Sequence, residues 1–155
     1  MATDLAKTAT TALARHLDIL LKSVHDLSEP LTEAQFWAKP MDSANSVGHL
    51  VLHLTGNLSH RVGTLLGGTG YVRDREREFT ETSVPPKAVA LTKLDEAVAG
   101  FRRIVEGLNA ERLGEPYPEG LFPTVLDGLV ALVAHFALHR GQISYISRLA
   151  AKAGK

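Results

Sequence analysis

Two pairs of histidines with metal-ligand spacing stand out in this chain. His135 and His139 lie four residues apart near the end of the sequence, and His49 and His53 show the same spacing upstream. Residues four apart on an α-helix share one face, about one turn apart along the axis, so both rings of a pair can reach one point. Imidazole is a frequent ligand of transition metals. The pairs therefore indicate a metal site, in which two imidazoles need at least a third ligand.

The composition of the chain excludes several classes of protein and of reactive site. The chain has 155 residues, 45% of them hydrophobic and 22% charged, which predicts a single folded domain over residues 1–155. Lys+Arg and Asp+Glu both number 17, so no basic surplus favours a nucleic-acid partner or a membrane surface. The absence of cysteine excludes disulfides, thiolate ligands and cysteine nucleophiles. Charged residues interrupt positions 1–21, so we expect no signal peptide or membrane span and predict a cytoplasmic protein.

Four long helices are predicted to position the histidines. Apolar residues recur at intervals of three and four over residues 4–25, 46–67, 92–108 and 124–152, and the sequence has no strand pattern of useful length. Long connections over residues 70–91 and 109–123 separate helix two from helix three and helix three from helix four. The pattern predicts an all-α four-helix bundle, for which we expect up-down-down-up connectivity.

Polar residues of N-cap type mark the expected helix starts. Thr32 is expected to open a short helical turn that carries Phe36 and Trp37, which we predict to fill the core beneath the loop. Ser46 is expected to open the second long helix. The third and fourth helices are expected to begin at capping boxes, formed by Thr92 with Asp95 and by Thr124 with Asp127.

The predicted helix faces give the histidines different surroundings. On the fourth helix, His135 and His139 fall in the same sector as Leu132, Phe136 and Ile143, given a turn of about 100° per residue. Both histidines should therefore point inward, either as satisfied core residues or as ligands. The second helix carries its histidines opposite an apolar stripe. That stripe is either bundle core or the contact face of a dimer, and the histidine face is either solvated or lines a site.

Two motifs in these helices resemble those of the DinB/YfiT-like metalloenzymes. They are NSVGHLVLHLTGN at residues 45–57 and HFALHRGQI at residues 135–143, and the resemblance extends over nearly the whole chain. It implies a four-helix bundle, often a homodimer, in which helix two supplies one histidine ligand and helix four supplies two. Carried over to this sequence, the implied metal ligands are His53, His135 and His139.

The implied site is an open one. Three neutral imidazoles leave at least one coordination position free, as in catalytic rather than structural zinc sites. Zinc suits these ligands best, and nickel, iron, cobalt and manganese are alternatives. The family includes thiol-dependent S-transferases, so the resemblance implies a low-molecular-weight thiol, a small-molecule substrate, and a transferase or hydrolase reaction of a metal-activated thiolate or water. The alternative is a non-catalytic bundle that binds a metal or small ligand in a stress response.

Other polar residues on these two helices have more than one interpretation. His49, one turn before His53, could be a fourth ligand, a group that supports a ligand, or a proton shuttle. Asn57 and Gln142 could each orient a ligand histidine; otherwise Asn57 is a solvated helix residue and Gln142 an inter-helix hydrogen bond. Arg140 could contact an anionic substrate or simply be exposed.

Several further charged or titratable residues are predicted to lie on the surface. His60 lies about 10.5 Å along the helix axis from His53, at about 1.5 Å per residue, so it cannot share the ion. His60, His16 and His25 are interpreted as surface histidines. The stretch Arg73–Glu78 alternates in charge sign and is predicted to be a solvated segment.

Overall fold

Seven α-helices make up most of the part of the chain that the structure, a computed structural model, describes. That part comprises residues 2–153, with side chains over residues 5–152. It is 72% helical, and no strand occurs within it. The helices are α1 (Ala2–Ser28), α2 (Glu33–Trp37), α3 (Val47–Leu58), α4 (Arg77–Thr80), α5 (Lys87–Val105), α6 (Ala110–Gly114) and α7 (Val125–Ala153). The predicted all-α bundle is confirmed, with α1, α3, α5 and α7 as its long helices.

The long helices pack in the order α1, α5, α3, α7 around the bundle. α1 and α3 each lie against both α5 and α7, so α1 and α3 are diagonal neighbours. α1 and α5 run antiparallel. His25, near the end of α1, contacts Asp95 in the first half of α5, whereas Asp18, earlier in α1, pairs with Arg102 near the end of α5.

Contacts at the two ends of α3 and α5 show that these helices run parallel. Trp37 packs against Gly48 at the start of α3. The carboxylate of Glu33 in α2 accepts hydrogen bonds from both the Trp37 indole and the backbone N–H of Lys87, the first residue of α5. At the opposite end, Gly67 lies against Ile104 near the end of α5. Both helices therefore point away from α2.

The last helix, α7, runs opposite to α3. Tyr117, shortly before α7, donates a 2.7 Å hydrogen bond to the carbonyl oxygen of Arg61, just beyond the end of α3. Gln35 in α2, close to the start of α3, donates a 3.2 Å hydrogen bond to the carbonyl oxygen of Ala150 near the end of α7. With α1 up, α3 and α5 down and α7 up, the predicted up-down-down-up connectivity is confirmed.

Apolar side chains from all four long helices fill the centre of the bundle. The fully buried ones include Leu17, Val24, Val51, Leu54, Leu94, Phe101, Leu129, Phe136 and Ile143. Burying one such side chain stabilises the fold by about 1.5–3 kcal/mol. The apolar stripe of α3 belongs to this core, so it is not the contact face of a dimer. Phe36 is also fully buried, as predicted for the turn that carries it.

Most of the predicted N-caps are confirmed, but the predicted start of α5 is wrong. Thr32, Ser46 and Thr124 accept the expected backbone hydrogen bonds. α5 begins at Lys87 rather than after residue 92, because a side chain from another helix satisfies its first free N–H: Glu33 accepts a 2.7 Å bond from the Lys87 backbone. Asp95, expected in a capping box, lies inside the helix.

The second predicted helix changes its winding before it ends. α3 stops at Leu58, and residues Ser59–Thr64 continue it as a π-helical segment. The backbone N–H of Leu65 reaches the carbonyl of His60, and the wider turn leaves the carbonyl of Arg61 to accept the Tyr117 hydroxyl. Short π-helical segments are frequent near functional sites. A side chain from a distant loop therefore binds a carbonyl within this segment, and hydrophobic periodicity shows neither the bond nor the change in winding.

Over the residues described, no single helix is both long and apolar enough to span a bilayer. One pair, residues 110–120 with 125–152, meets the length and composition criteria together but is bent by 71° at its junction.

Candidate metal centre

Three histidines from α3 and α7 converge on one point. The Nε2 atom of His135 lies 3.2 Å from Nε2 of His53 and 3.0 Å from Nε2 of His139. One potential ligand atom from each of the three histidines lies within 4.8 Å of the other two. Among the described residues, His53, His135 and His139 therefore form a group that could hold a metal ion. The antiparallel crossing of α3 and α7 thus brings residues 82 positions apart into contact.

The distances between these nitrogens fit a shared metal ion. Zinc–imidazole bonds of about 2.0–2.1 Å in tetrahedral geometry separate neighbouring nitrogens by about 3.3 Å. The observed separations of 3.2 and 3.0 Å are close to that value. His139 supports the fit with its other nitrogen: Nδ1 lies 2.7 Å from Oε1 of Gln142, an acceptor, so Nδ1 carries the proton and the Nε2 lone pair faces the centre. The Nε2 atom of His139 can therefore offer its lone pair to a cation at the centre.

The centre also favours the neutral imidazoles that a metal requires. Burial, together with the charges of His139 and His53, lowers the pKa of His135 to about 4. Burial likewise lowers the pKa of His139, against a smaller opposing effect of the hydrogen bond to Gln142. Metal binding requires deprotonated ligands, and these shifts keep both rings neutral at pH 7 without the cost of removing a proton.

The segment predicted to be solvated instead covers the centre. Arg73 and Glu78 have side chains only 9% and 6% exposed, so this prediction is wrong for both. Arg73 donates from Nε and Nη2 to the two carboxylate oxygens of Glu78, at 2.6 and 2.8 Å. Oε2 of Glu78 lies 2.9 Å from Nδ1 of His53. The alternating charges therefore form a buried ion pair that contacts a predicted ligand.

Two neighbours shape the space in which the ion pair lies. Gly56, on the same side of α3 as His53, has no side chain to separate the helix from Glu78, and a Cβ there would overlap Oε1 of that carboxylate. The ring of Phe79 packs against the His53 ring, with centroids 4.8 Å apart. A glycine three residues after a candidate ligand, and an unusually long connection over residues 70–91, were the signals in the sequence that could have identified this contact.

His49 does not join the three converging rings. It is 5% exposed, and both its ring nitrogens have partners: Nδ1 lies 2.6 Å from Oγ of Ser46, and Nε2 lies 3.0 Å from the carbonyl oxygen of Glu81. The indole of Trp37 packs edge-on against the ring. In this arrangement His49 ties the start of α3 to the segment after α4, and neither nitrogen is free to be a fourth ligand.

Of the other three candidate residues, Gln142 forms a hydrogen bond with a converging histidine in the described structure, whereas Asn57 and Arg140 do not. Gln142 contacts His139, as one of its two interpretations required. Asn57 is 9% exposed and makes no hydrogen bond to the three histidines in the described structure. Arg140 donates a 2.7 Å hydrogen bond to Oγ of Ser23 and so joins α7 to α1.

The histidines predicted to be on the surface differ from one another. His16 is exposed, as predicted. His25 is partly exposed and lies 2.6 Å from a carboxylate oxygen of Asp95, so it links α1 to α5. His60 is only partly exposed, and its Nδ1 atom is buried without a hydrogen-bond partner. The surface prediction therefore describes His16 well and the other two only in part.

A groove of about 620 Å³ lies beside the ion pair rather than at the three histidines. It is bounded by α3, α5 and the segment over residues 69–81, and its walls include Gly56 and Glu78 but none of the converging histidines. Glu78 thus borders both the groove and the candidate metal centre.

Comparison with known proteins identifies one family. The family model described as mycothiol-S-transferase matches residues 8–149 of this chain. The match extends from α1 into α7 and includes all three converging histidines. No curated protein sequence matches the chain.

Proposed function

This chain belongs to the mycothiol-S-transferase family, one of the DinB/YfiT-like families, and on that premise we propose that it is a thiol-dependent S-transferase. We propose His53, His135 and His139 as the ligands of one divalent metal ion. The observation that carries the proposal is the convergence of three imidazole rings, with Nε2 of His135 3.2 and 3.0 Å from Nε2 of His53 and of His139, in a chain that this family model matches.

We propose zinc as the ion. Imidazole ligands accept several transition metals, so metal analysis of the purified protein distinguishes zinc from nickel, iron, cobalt and manganese. When bound, such an ion acts as a Lewis acid that lowers the pKa of a thiol or water at the open position. The chain has no cysteine of its own. The reacting sulfur must therefore come from a small thiol, and the reducing cytoplasm is where such thiols stay reduced.

The surrounding residues have distinct roles in this reaction. Gln142 holds the His139 ring in one orientation, and Phe79 covers the buried His53 ring. His135 and His139 are only partly buried, so their side of the centre is where the thiol and the electrophile can approach. In the transfer, the thiol loses its proton to solvent, its sulfur forms a bond to an electrophilic carbon, and the leaving group departs with the bonding electron pair.

Thiol consumption with a panel of electrophiles tests this function. The metal-loaded protein is expected to accelerate loss of a low-molecular-weight thiol in the presence of at least one electrophile, and chelation followed by dialysis is expected to abolish the acceleration. Turnover of an ester or amide without any thiol contradicts the transferase proposal and indicates a hydrolase with a metal-activated water. Stoichiometric metal with no turnover of either kind indicates a metal-binding protein.

We also propose that the protein is a homodimer. The apolar stripe of α3 cannot form the interface because it is core, but α7 presents exposed apolar side chains along its outer face, among them Val130 at 53%, Leu138 at 60% and Tyr145 at 68%. Several exposed apolar side chains on one helix can form a protein interface. Substitution Tyr145→Glu is therefore expected to shift the protein from dimer to monomer in sedimentation velocity. The control is Val72→Glu, at an apolar residue 89% exposed outside α7; equal effects of the two changes contradict this interface.

A further inference from the structure

The contact between Glu78 and His53 determines which nitrogen of His53 carries its proton. Nδ1 of His53 lies 2.9 Å from Oε2 of Glu78 and 3.2 Å from Nη2 of Arg73. A ring nitrogen cannot both donate to the carboxylate and accept from the guanidinium. The carboxylate is closer and can only accept, while Arg73 already donates to it from both Nε and Nη2. Nδ1 therefore carries the proton, and the lone pair is on Nε2, the atom that faces His135.

The ion pair keeps Glu78 in its ionised form inside the protein. Both of its carboxylate oxygens accept bonds from the Arg73 guanidinium, which is always charged, and both side chains of the pair are buried. Two parallel bonds from one guanidinium also fix the plane of the carboxylate. A carboxylate so held can orient the His53 ring, as a free acidic side chain in a loop could not.

The local sequence is shaped to admit this carboxylate. Gly56 leaves the space on α3 that Oε1 of Glu78 occupies. Because α4 begins at Arg77, the backbone at Glu78 is helical and directs adjacent side chains, Glu78 and Phe79, to two sides of His53. The contact between Glu78 and His53 therefore depends on three features: the missing side chain at Gly56, the short helix α4, and the buried Arg73 guanidinium.

We propose that Glu78, clamped by Arg73, is a positioning residue of the metal centre, which holds His53 with its Nε2 lone pair directed at the ion. The inference rests on the three-histidine metal site of the proposed function. Hydrogen-bonded carboxylates behind metal-bound histidines strengthen the ligand, and their loss typically costs 10–100-fold in metal affinity.

The test compares two neutral substitutions on one segment. Glu78→Gln keeps the shape of the side chain and removes its charge, and the control Glu76→Gln makes the same change at an exposed residue two positions earlier. Zinc affinity is measured by competition with a chromophoric chelator, and Co²⁺ titration reports the ligand field by its visible absorption. Glu78→Gln is expected to bind zinc about 10–100-fold more weakly and to change the Co²⁺ spectrum. Glu76→Gln is expected to match the wild type.

A double variant separates positioning from stability. Glu78→Gln alone leaves Arg73 buried without its counter-ion, which is destabilising. Arg73→Met combined with Glu78→Gln removes both charges, so this protein is expected to resist urea better than the single variant and yet to bind zinc more weakly than the wild type. Wild-type zinc affinity and Co²⁺ spectrum in the double variant, or in folded Glu78→Gln, overturn the positioning role.

Failure of this inference is distinguishable from failure of the metal site itself. If the wild type binds no zinc, or if His139→Ala retains it, the three-histidine site is wrong and the role of Glu78 falls with it. If the wild type binds zinc and His139→Ala does not, while Glu78→Gln matches Glu76→Gln, the ligands stand and only the positioning role is wrong.

Discussion

The wild-type protein is expected to retain stoichiometric metal when purified without a histidine tag, and the His139→Ala variant is expected to lose it. His139 directs Nε2 at the converging group, and its Nδ1 is already engaged by Gln142. Removal of the ring leaves two nitrogens, His53 and His135, 3.2 Å apart. Loss of a group that only supports a ligand weakens metal binding by about 10–100-fold, so loss of a ligand should exceed that range. Plasma emission spectrometry of the purified proteins measures the result.

The control for this experiment is His16→Ala, which removes an exposed histidine of α1 far from the convergence. It is expected to keep one metal ion per chain and the thiol-consuming activity of the wild type. The same measurement on His53→Ala distinguishes the contributions of α3 and α7. Metal that survives in both His139→Ala and His53→Ala at wild-type stoichiometry shows that the ion binds elsewhere.

Substitution Gly56→Ala is expected to destabilise the protein by about 1–3 kcal/mol, the usual cost of forcing an extra group into a packed interior. A helical glycine replaced by alanine ordinarily gains up to about 1 kcal/mol of helix stability. Here the new Cβ would overlap Oε1 of Glu78, and the carboxylate cannot yield without breaking its bonds to Arg73 and His53. The steric effect should therefore outweigh the gain in helix propensity. Urea denaturation of the metal-free protein measures the change.

Gly100→Ala is the matched control for the backbone effect. Gly100 also lies inside a long helix, α5, and a Cβ there meets only the far end of an arginine side chain, at 3.8 Å. This variant is expected to be as stable as the wild type or slightly more stable. If Gly56→Ala is equally stable, then Glu78 can move without cost, and the fixed position assigned to it is wrong.

The sequence predicts much of the fold because the relevant forces are local or periodic. The stripes of α1, α3 and α7 and the caps at Thr32, Ser46 and Thr124 depend on residues three or four positions apart, and all are present in the structure. The start of α5 is missed because its cap, Glu33, comes from another helix 54 positions away. The same limitation hides the π-helical winding, where Tyr117 acts on α3 from a loop.

Some residues of the candidate site could likewise be predicted from the sequence, and others could not. His135 and His139 are visible as a spacing on an inward face, and the family resemblance adds His53; the structure brings these three together. Arg73 and Glu78 could not be assigned from sequence, because alternating charges are typical of solvated segments and no periodicity marks a connection that folds back over a helix. Their burial is a property of the tertiary arrangement alone.

The convergence of His53 and His135 has a topological consequence. These residues are 82 positions apart, so an ion bound to both closes a loop of that length in a chain that has no cysteine. In the chain-entropy description of a cross-link, closing such a loop removes about 4.5 kcal/mol of conformational freedom from the unfolded state. An ion bound there would act as a removable staple that ties α3 to α7, in the way that a disulfide ties two segments of a secreted protein.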